Sequence, residues 1–162
     1  MLSGVYGDIR MFMSKRIALA ADHAGFEEKE KIKKTLDDLG LAFDDLGTDS
    51  GESVDYPDFA LKVADGVASG EYDQGLLVCG SGTGMAIAAN KVKGVRAAVA
   101  WSEDIARLAR EHNDANVLSL PARFISEEES AKVVKAFFET DFEGGRHGRR
   151  VDKILEIENS KS

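Results

Sequence analysis

Hydrophobic and polar positions along the chain fall into blocks that change period from strand to helix and back, five times over. Residues 17–21, Ile-Ala-Leu-Ala-Ala, form a short apolar run with no polar alternation, as a strand buried on both faces does. Residues 27–39 take helical spacing, with Ile32, Leu36 and Leu39 on one face, acidic residues early and lysines later, and Gly40 as the stop. A weaker strand over 41–46 leads into a polar loop, 47–57, and then a helix over 59–68 that ends at Ser69-Gly70. Strand three covers 75–78, and a helix-forming run extends from 85 to 93. Strand four spans 95–100; Ser102 caps a helix running to about His112; strand five spans 116–120. Ser126-Glu127-Glu128-Glu129 has capping-box spacing and opens a helix with Val133, Val134 and Phe137 inward. Beyond Gly144-Gly145, an amphipathic stretch carries Val151, Ile154, Leu155 and Ile157.

Five short strands alternating with helices imply an α/β fold, a five-stranded parallel sheet with helices on both faces. Ligands of such sheets bind at the carboxyl ends of the strands, where the winding reverses. That rule singles out Asp22-His23, the 47–57 loop, residues 79–84, Trp101-Ser102 and Pro121-Ala122-Arg123, and it puts His112 close to the same face.

Composition narrows the function. The 162 residues suit one folded unit over 15–160, with residues 1–14 a poorly ordered extension that lacks the apolar core of a signal peptide. A net charge of −8 argues against nucleic acid as a partner, because phosphate-backbone binding needs a cationic face. No apolar run reaches the ~18–20 residues of a membrane helix. A lone cysteine excludes an internal disulfide, and the cytoplasm is the expected compartment.

That cysteine stands in the most informative segment, Val78-Cys79-Gly80-Ser81-Gly82-Thr83-Gly84-Met85. A strand, a glycine turn and a helix start present backbone N–H groups to an anion and place a thiol beside them. A helix N-terminus makes the thiolate easier to form than in water, so the loop offers a base or nucleophile beside an oxyanion site. The alternative is a glycine turn with a buried, inert cysteine. A phosphatase loop would need arginine where Met85 stands, a dinucleotide fingerprint a third glycine there, and a P-loop Gly-Lys-Ser/Thr.

Three further groups bear chemistry. Asp22-His23 offers a carboxylate and an imidazole to hydroxyls or phosphate, or is a solvated loop pair. His112-Asn113 closes a helix, as an acid/base with an amide anchor or as a histidine favoured there by the dipole. Arg146, His147, Arg149 and Arg150 are the densest positive cluster, with Arg146 and Arg150 one turn apart; they suit a phosphate dianion or form a solvated basic face. The three histidines show no metal-ligand spacing, so no metal and no cofactor are expected.

Together Asp22-His23-Ala24-Gly25-Phe26, Ser53-Val54-Asp55-Tyr56-Pro57, Cys79-Gly80-Ser81-Gly82-Thr83-Gly84, Ala88-Ala89-Asn90-Lys91, His112-Asn113-Asp114-Ala115-Asn116 and Gly144-Gly145-Arg146-His147 resemble ribose-5-phosphate isomerase type B. That family also holds galactose- and allose-6-phosphate isomerases. The likeness is collinear from about Lys15 to Glu158. It implies a Rossmann-like three-layer sandwich and a metal-free aldose–ketose isomerase of the pentose phosphate pathway. The reaction is D-ribose 5-phosphate to D-ribulose 5-phosphate through an enediolate, in a homodimer or dimer of dimers with composite sites. Rivals are a six-carbon sugar-phosphate isomerase and a non-catalytic sugar-phosphate-binding module.

By that resemblance Cys79 is the proton-transferring base and His112 opens the sugar ring. Ser81 with the amides of Gly80, Gly82, Thr83 and Gly84 holds the enediolate oxygens. Asp22, His23 and Asn113 contact substrate. Arg146 and Arg150 bind phosphate from the neighbouring subunit, on a segment free to cross to it, with Arg123 as helper. Cys79 together with Met85 marks the cysteine branch of the family. Pro121-Ala122 before Arg123, where glycine is commoner, leaves the position of Arg123 to the fold.

Overall fold

The computed structural model describes residues 15–161; the extension expected over 1–14 lies outside the described residues. Five parallel strands, β1 (Arg16–Ala21), β2 (Ala42–Asp45), β3 (Gln74–Cys79), β4 (Ala97–Val99) and β5 (Val117–Pro121), form one sheet in the order β2-β1-β3-β5-β4. The helices are α1 (Phe26–Asp38), α2 (Tyr56–Ala68), α3 (Thr83–Ala89), α4 (Glu103–Asn113), α5 (Glu127–Glu139) and α6 (Gly145–Ser160).

The apolar runs are continuous because both faces of the central strands are covered. Ile17, Leu19, Leu76, Val78, Leu118 and Leu120 pack on one side with Ile32 and Leu36 of α1, Ala106 of α4 and Val133, Val134 and Phe137 of α5. The alternate residues Ala18, Ala20, Leu77, Cys79 and Val117 pack on the other with Ala60, Val63 and Ala64 of α2 and Met85 and Ala89 of α3. The result is the expected three-layer α/β sandwich, with α6 laid against α4.

Local chemistry sets the ends. Ser102 and Ser126 accept the N–H of Ile105 and Glu129, capping α4 and α5 as their sequences predict. α2 starts three residues earlier than its periodicity suggests, since Pro57 lies in the first turn, where its missing N–H costs nothing. β4 is three residues rather than six. It is an edge strand that pairs only with β5, and the amide of Arg96 is already taken by the Asn116 side chain.

The chain leaves β1 outward to β2, then returns on the other side of β1 to form β3. β1 and β3 are therefore hydrogen-bonded neighbours at the point where the winding reverses, Ala21 opposite Val78. The crevice expected of this class opens between their carboxyl ends.

Candidate active site

Asp22 and Cys79 end the two strands that flank that crevice. Asp22 is buried; its amide donates to the Val78 carbonyl (3.2 Å) and its Oδ1 accepts the amide of Gly25 (3.0 Å). The turn lies so close to β3 that a Cβ on Gly25 would stand 2.1 Å from the Val78 oxygen, so only glycine fits. His23 accepts the Val54 amide at Nδ1 (3.1 Å), which pulls the 53–57 segment over the crevice and leaves Nε2 for a donor role. Tyr56 from that segment lies against Gly84, where a Cβ would come within 2.8 Å of its ring.

Cys79 is 5% exposed, and its Sγ accepts the Gly82 amide at 3.1 Å. Gly82 sits in the left-handed region (φ 76), which folds the loop back on the sulfur, and its carbonyl accepts the Ser119 hydroxyl at 2.6 Å. Burial pushes the Cys79 thiol up and the charge of Asp22 adds to that; the amides of Met85, Gly82 and Ser81 pull the other way and do not prevail. The thiolate favoured by the sequence pattern is thus corrected. Desolvation outweighs the backbone donors, and the resting group is a thiol. Ser81 and Thr83 are exposed on the same loop, with the Ser81 Oγ accepting the Thr83 amide at 3.3 Å.

Arg123 joins this group. Its amide donates to the Gly80 carbonyl (3.0 Å), and its guanidinium lies 3.3 Å from where a Gly80 Cβ would stand. Pro121, opposite Cys79 in the sheet, carries the following turn over the loop despite the missing glycine.

His112 and Asn113 lie elsewhere, which corrects their expected position near the same face. They end α4, and α4 runs antiparallel to the strands. Asn113 lies at the amino end of the sheet, its carbonyl accepting Nε of Arg96 just before β4 begins. Cys79 pairs with Pro121 at one end of β5 and His112 precedes the other, roughly 13 Å of strand away at 3.3 Å per residue. Arg146 and Arg150 go with His112: both are exposed on the first turns of α6, which packs on α4 of its own chain, His147 meeting His112 there. That helix is docked, in contrast to the free segment expected beyond Gly144-Gly145. The residues therefore divide into two groups at opposite ends of the sheet, one of Cys79, Ser81, Asp22, His23 and Arg123, the other of His112, Asn113, Arg146 and Arg150.

A family model described as Ribose/Galactose Isomerase matches residues 17–154. The chain belongs to the ribose/galactose isomerase family. It is 44% identical over 148 residues to the ribose-5-phosphate isomerase B of Escherichia coli K12, covering 91% of this chain and 99% of that one. Among solved structures it resembles the ribose-5-phosphate isomerase B of Clostridium thermocellum (48% identity, TM-score 0.89, 91% of this chain and 99% of that one). It also resembles that of Mycoplasma genitalium with bound ribulose-5-phosphate (46%, 0.88, 92% and 99%). The sandwich and the switch-point crevice are thus those of sugar-phosphate isomerases.

In this ribose/galactose isomerase His147 and Glu143 stand beside His112. The His147 ring stacks on that of His112, centroids 4.1 Å apart and planes 9° from parallel, and Glu143 approaches His147 Nε2 at 3.5 Å. Sequence spacing hides this because residues 112 and 147 meet only where α6 crosses α4. The three side chains bring ligand atoms within 4.8 Å of one another, although the histidines show no metal-ligand spacing along the sequence. Stacked imidazoles direct their lone pairs along parallel planes, however, and these do not converge on one ion at about 2.1 Å.

Proposed function

We propose that this protein interconverts D-ribose 5-phosphate and D-ribulose 5-phosphate without a metal or other cofactor. The observation that carries the proposal is the Cys79 loop, a lone buried sulfur ringed by backbone donors at the crevice between β1 and β3. Isomerisation needs one base that reaches both C1 and C2, and fixed donors where negative charge develops. Cys79, once ionised, takes the C2 proton of the open-chain aldose. The electron pair forms the enediol double bond as the C1 carbonyl becomes an oxyanion. The same sulfur returns the proton to C1 while a proton passes from O2 to O1, leaving the carbonyl on C2. Ser81 and the amides of Gly80, Gly82, Thr83 and Gly84 hold the enediolate oxygens. Asp22 and His23 orient hydroxyls, and Arg123 adds positive charge beside the loop.

The second half-site completes the reaction from another copy of the chain. His112 gives a proton to the ring oxygen as the sugar opens, Asn113 anchors a hydroxyl, and Arg146 and Arg150 hold the phosphate as paired forks. The length of β5 between the half-sites supports a homodimer, or a dimer of dimers, in which each site takes one half from each subunit. So do the exposed Ile87, Trp101, Phe124, Ile154 and Ile157, a set of large apolar side chains suited to burial against another copy. Among the described residues no helix is long and apolar enough to cross a membrane, and with the acidic charge and single cysteine this fits one domain over 15–160 working in the cytoplasm on a small phosphate ester.

The test is a kinetic panel of five- and six-carbon aldose phosphates with chelator-treated protein. The highest kcat/KM is expected for ribose 5-phosphate, with full activity after EDTA. A six-carbon preference, or activity that returns only with added divalent ion, overturns the assignment.

A further inference from the structure

His147 is buried at the α4–α6 contact, 5% exposed, and its Nε2 has no hydrogen-bond partner. A buried polar nitrogen left unpaired is destabilising, so a residue here that merely filled space would better be apolar. The ring meets His112 face to face at 4.1 Å, while His112 itself remains half-exposed. The charged groups that face His147 are His112 from α4, Glu143 from the segment before α6, and Arg146 and Arg150 from α6 itself. Only Glu143 among them is negative.

We propose that His147 is a positioning residue for His112, its stacked ring fixing the plane of the His112 imidazole so that one edge faces the substrate of the neighbouring subunit. This rests on His112 acting in ring opening. A stack restricts the partner ring to one plane without occupying either of its nitrogens, which a hydrogen bond would do. A flat side chain is therefore suited to orient a group that must both give and take a proton. Burial, His112 and the two arginines all press His147 toward the neutral form, and the single carboxylate of Glu143 does not reverse this. His147 then serves as a neutral backing to the half-exposed His112 ring.

The experiment compares His147→Ala, His147→Phe and His112→Ala in the full chain, each checked for unchanged thermal unfolding and subunit mass. For His147→Ala, kcat with the cyclic aldose is expected to fall on the order of 10-fold to 10²-fold, the usual consequence of a misplaced catalytic group, with KM little changed because Arg146 and Arg150 remain. His147→Phe keeps a flat ring in the same space and is expected to recover most of that loss. The ring-current shift on the His112 Hε1 signal in NMR should vanish in the alanine variant and persist in the phenylalanine one. A folded His147→Ala with wild-type kcat, pH profile and His112 shift overturns the proposal. If the alanine variant does not fold, a His147→Phe turnover as low as that of His112→Ala overturns it instead. Unimpaired turnover in His112→Ala sinks the ring-opening role itself, whereas an impaired His112→Ala beside a normal His147→Ala sinks only the positioning role.

Discussion

At the scale of the residue, the chemistry turns on a competition around one sulfur. Burial and the charge of Asp22 hold the Cys79 thiol up, and three backbone amides hold it down without prevailing. In the proposed mechanism the base is the thiolate, so alkylation by iodoacetamide and turnover should both rise with pH, through a midpoint above the ordinary thiol value of about 8.5. Asp22→Asn removes a charge that raises the thiol, so the alkylation midpoint should move down even as substrate binding weakens; an unmoved or higher midpoint contradicts the electrostatic account. Cys79→Ala should lower kcat by roughly 10²–10⁴, the worth of a positioned base, with affinity for inorganic phosphate nearly unchanged. Near-normal turnover in that variant would remove Cys79 from the mechanism.

At the scale of the element, the site depends on how tightly the β1–α1 turn is drawn onto β3. Gly25 is where that closeness is set, because an added methyl would meet the Val78 carbonyl at 2.1 Å. Gly25→Ala should cost about 1–3 kcal/mol, as overpacking does, and should raise KM, because Asp22 and His23 move away from Cys79 with the turn. Thermal unfolding together with steady-state kinetics reads both effects; an alanine variant with unchanged stability would mean the turn has room the structure does not show. Ser126→Ala gives the contrast. It loses the bond to the Glu129 amide at the start of α5, for about 0.5–2 kcal/mol, with no change in KM because α5 carries no site residue.

At the scale of the whole molecule, the proposed sharing of each site between two subunits predicts which defects complement. Cys79→Ala and His112→Ala lie in different halves, so chains bearing one each, refolded together, should regain about a quarter of wild-type activity under random pairing: half the dimers are hybrids, each with one intact site. Cys79→Ala mixed with the Arg146→Ala, Arg150→Ala double variant should behave alike. His112→Ala mixed with that double variant should recover nothing, since both defects fall in the same half. Hybrids seen by native mass spectrometry but inactive in the first two mixtures would refute the shared site.

The parallel sheet, the helix caps at Ser102 and Ser126, and the strand–turn–helix form of the Cys79 loop were legible from the sequence, because apolar period, cap residues and glycine turns are local properties of the chain. So was the pairing of Asp22-His23 with Cys79, since a strand-end rule suffices once the sheet is parallel. Three matters were decided only by tertiary structure. The thiol is held up because burial depends on what packs around Cys79, and a helix-start pattern shows the donors but not the desolvation. His112 faces away from Cys79 because a helix in a parallel sheet returns the chain to the opposite end, which motif order along the sequence does not display. The His112–His147 stack exists because α6 docks on α4, a contact between residues 35 positions apart that no local period encodes.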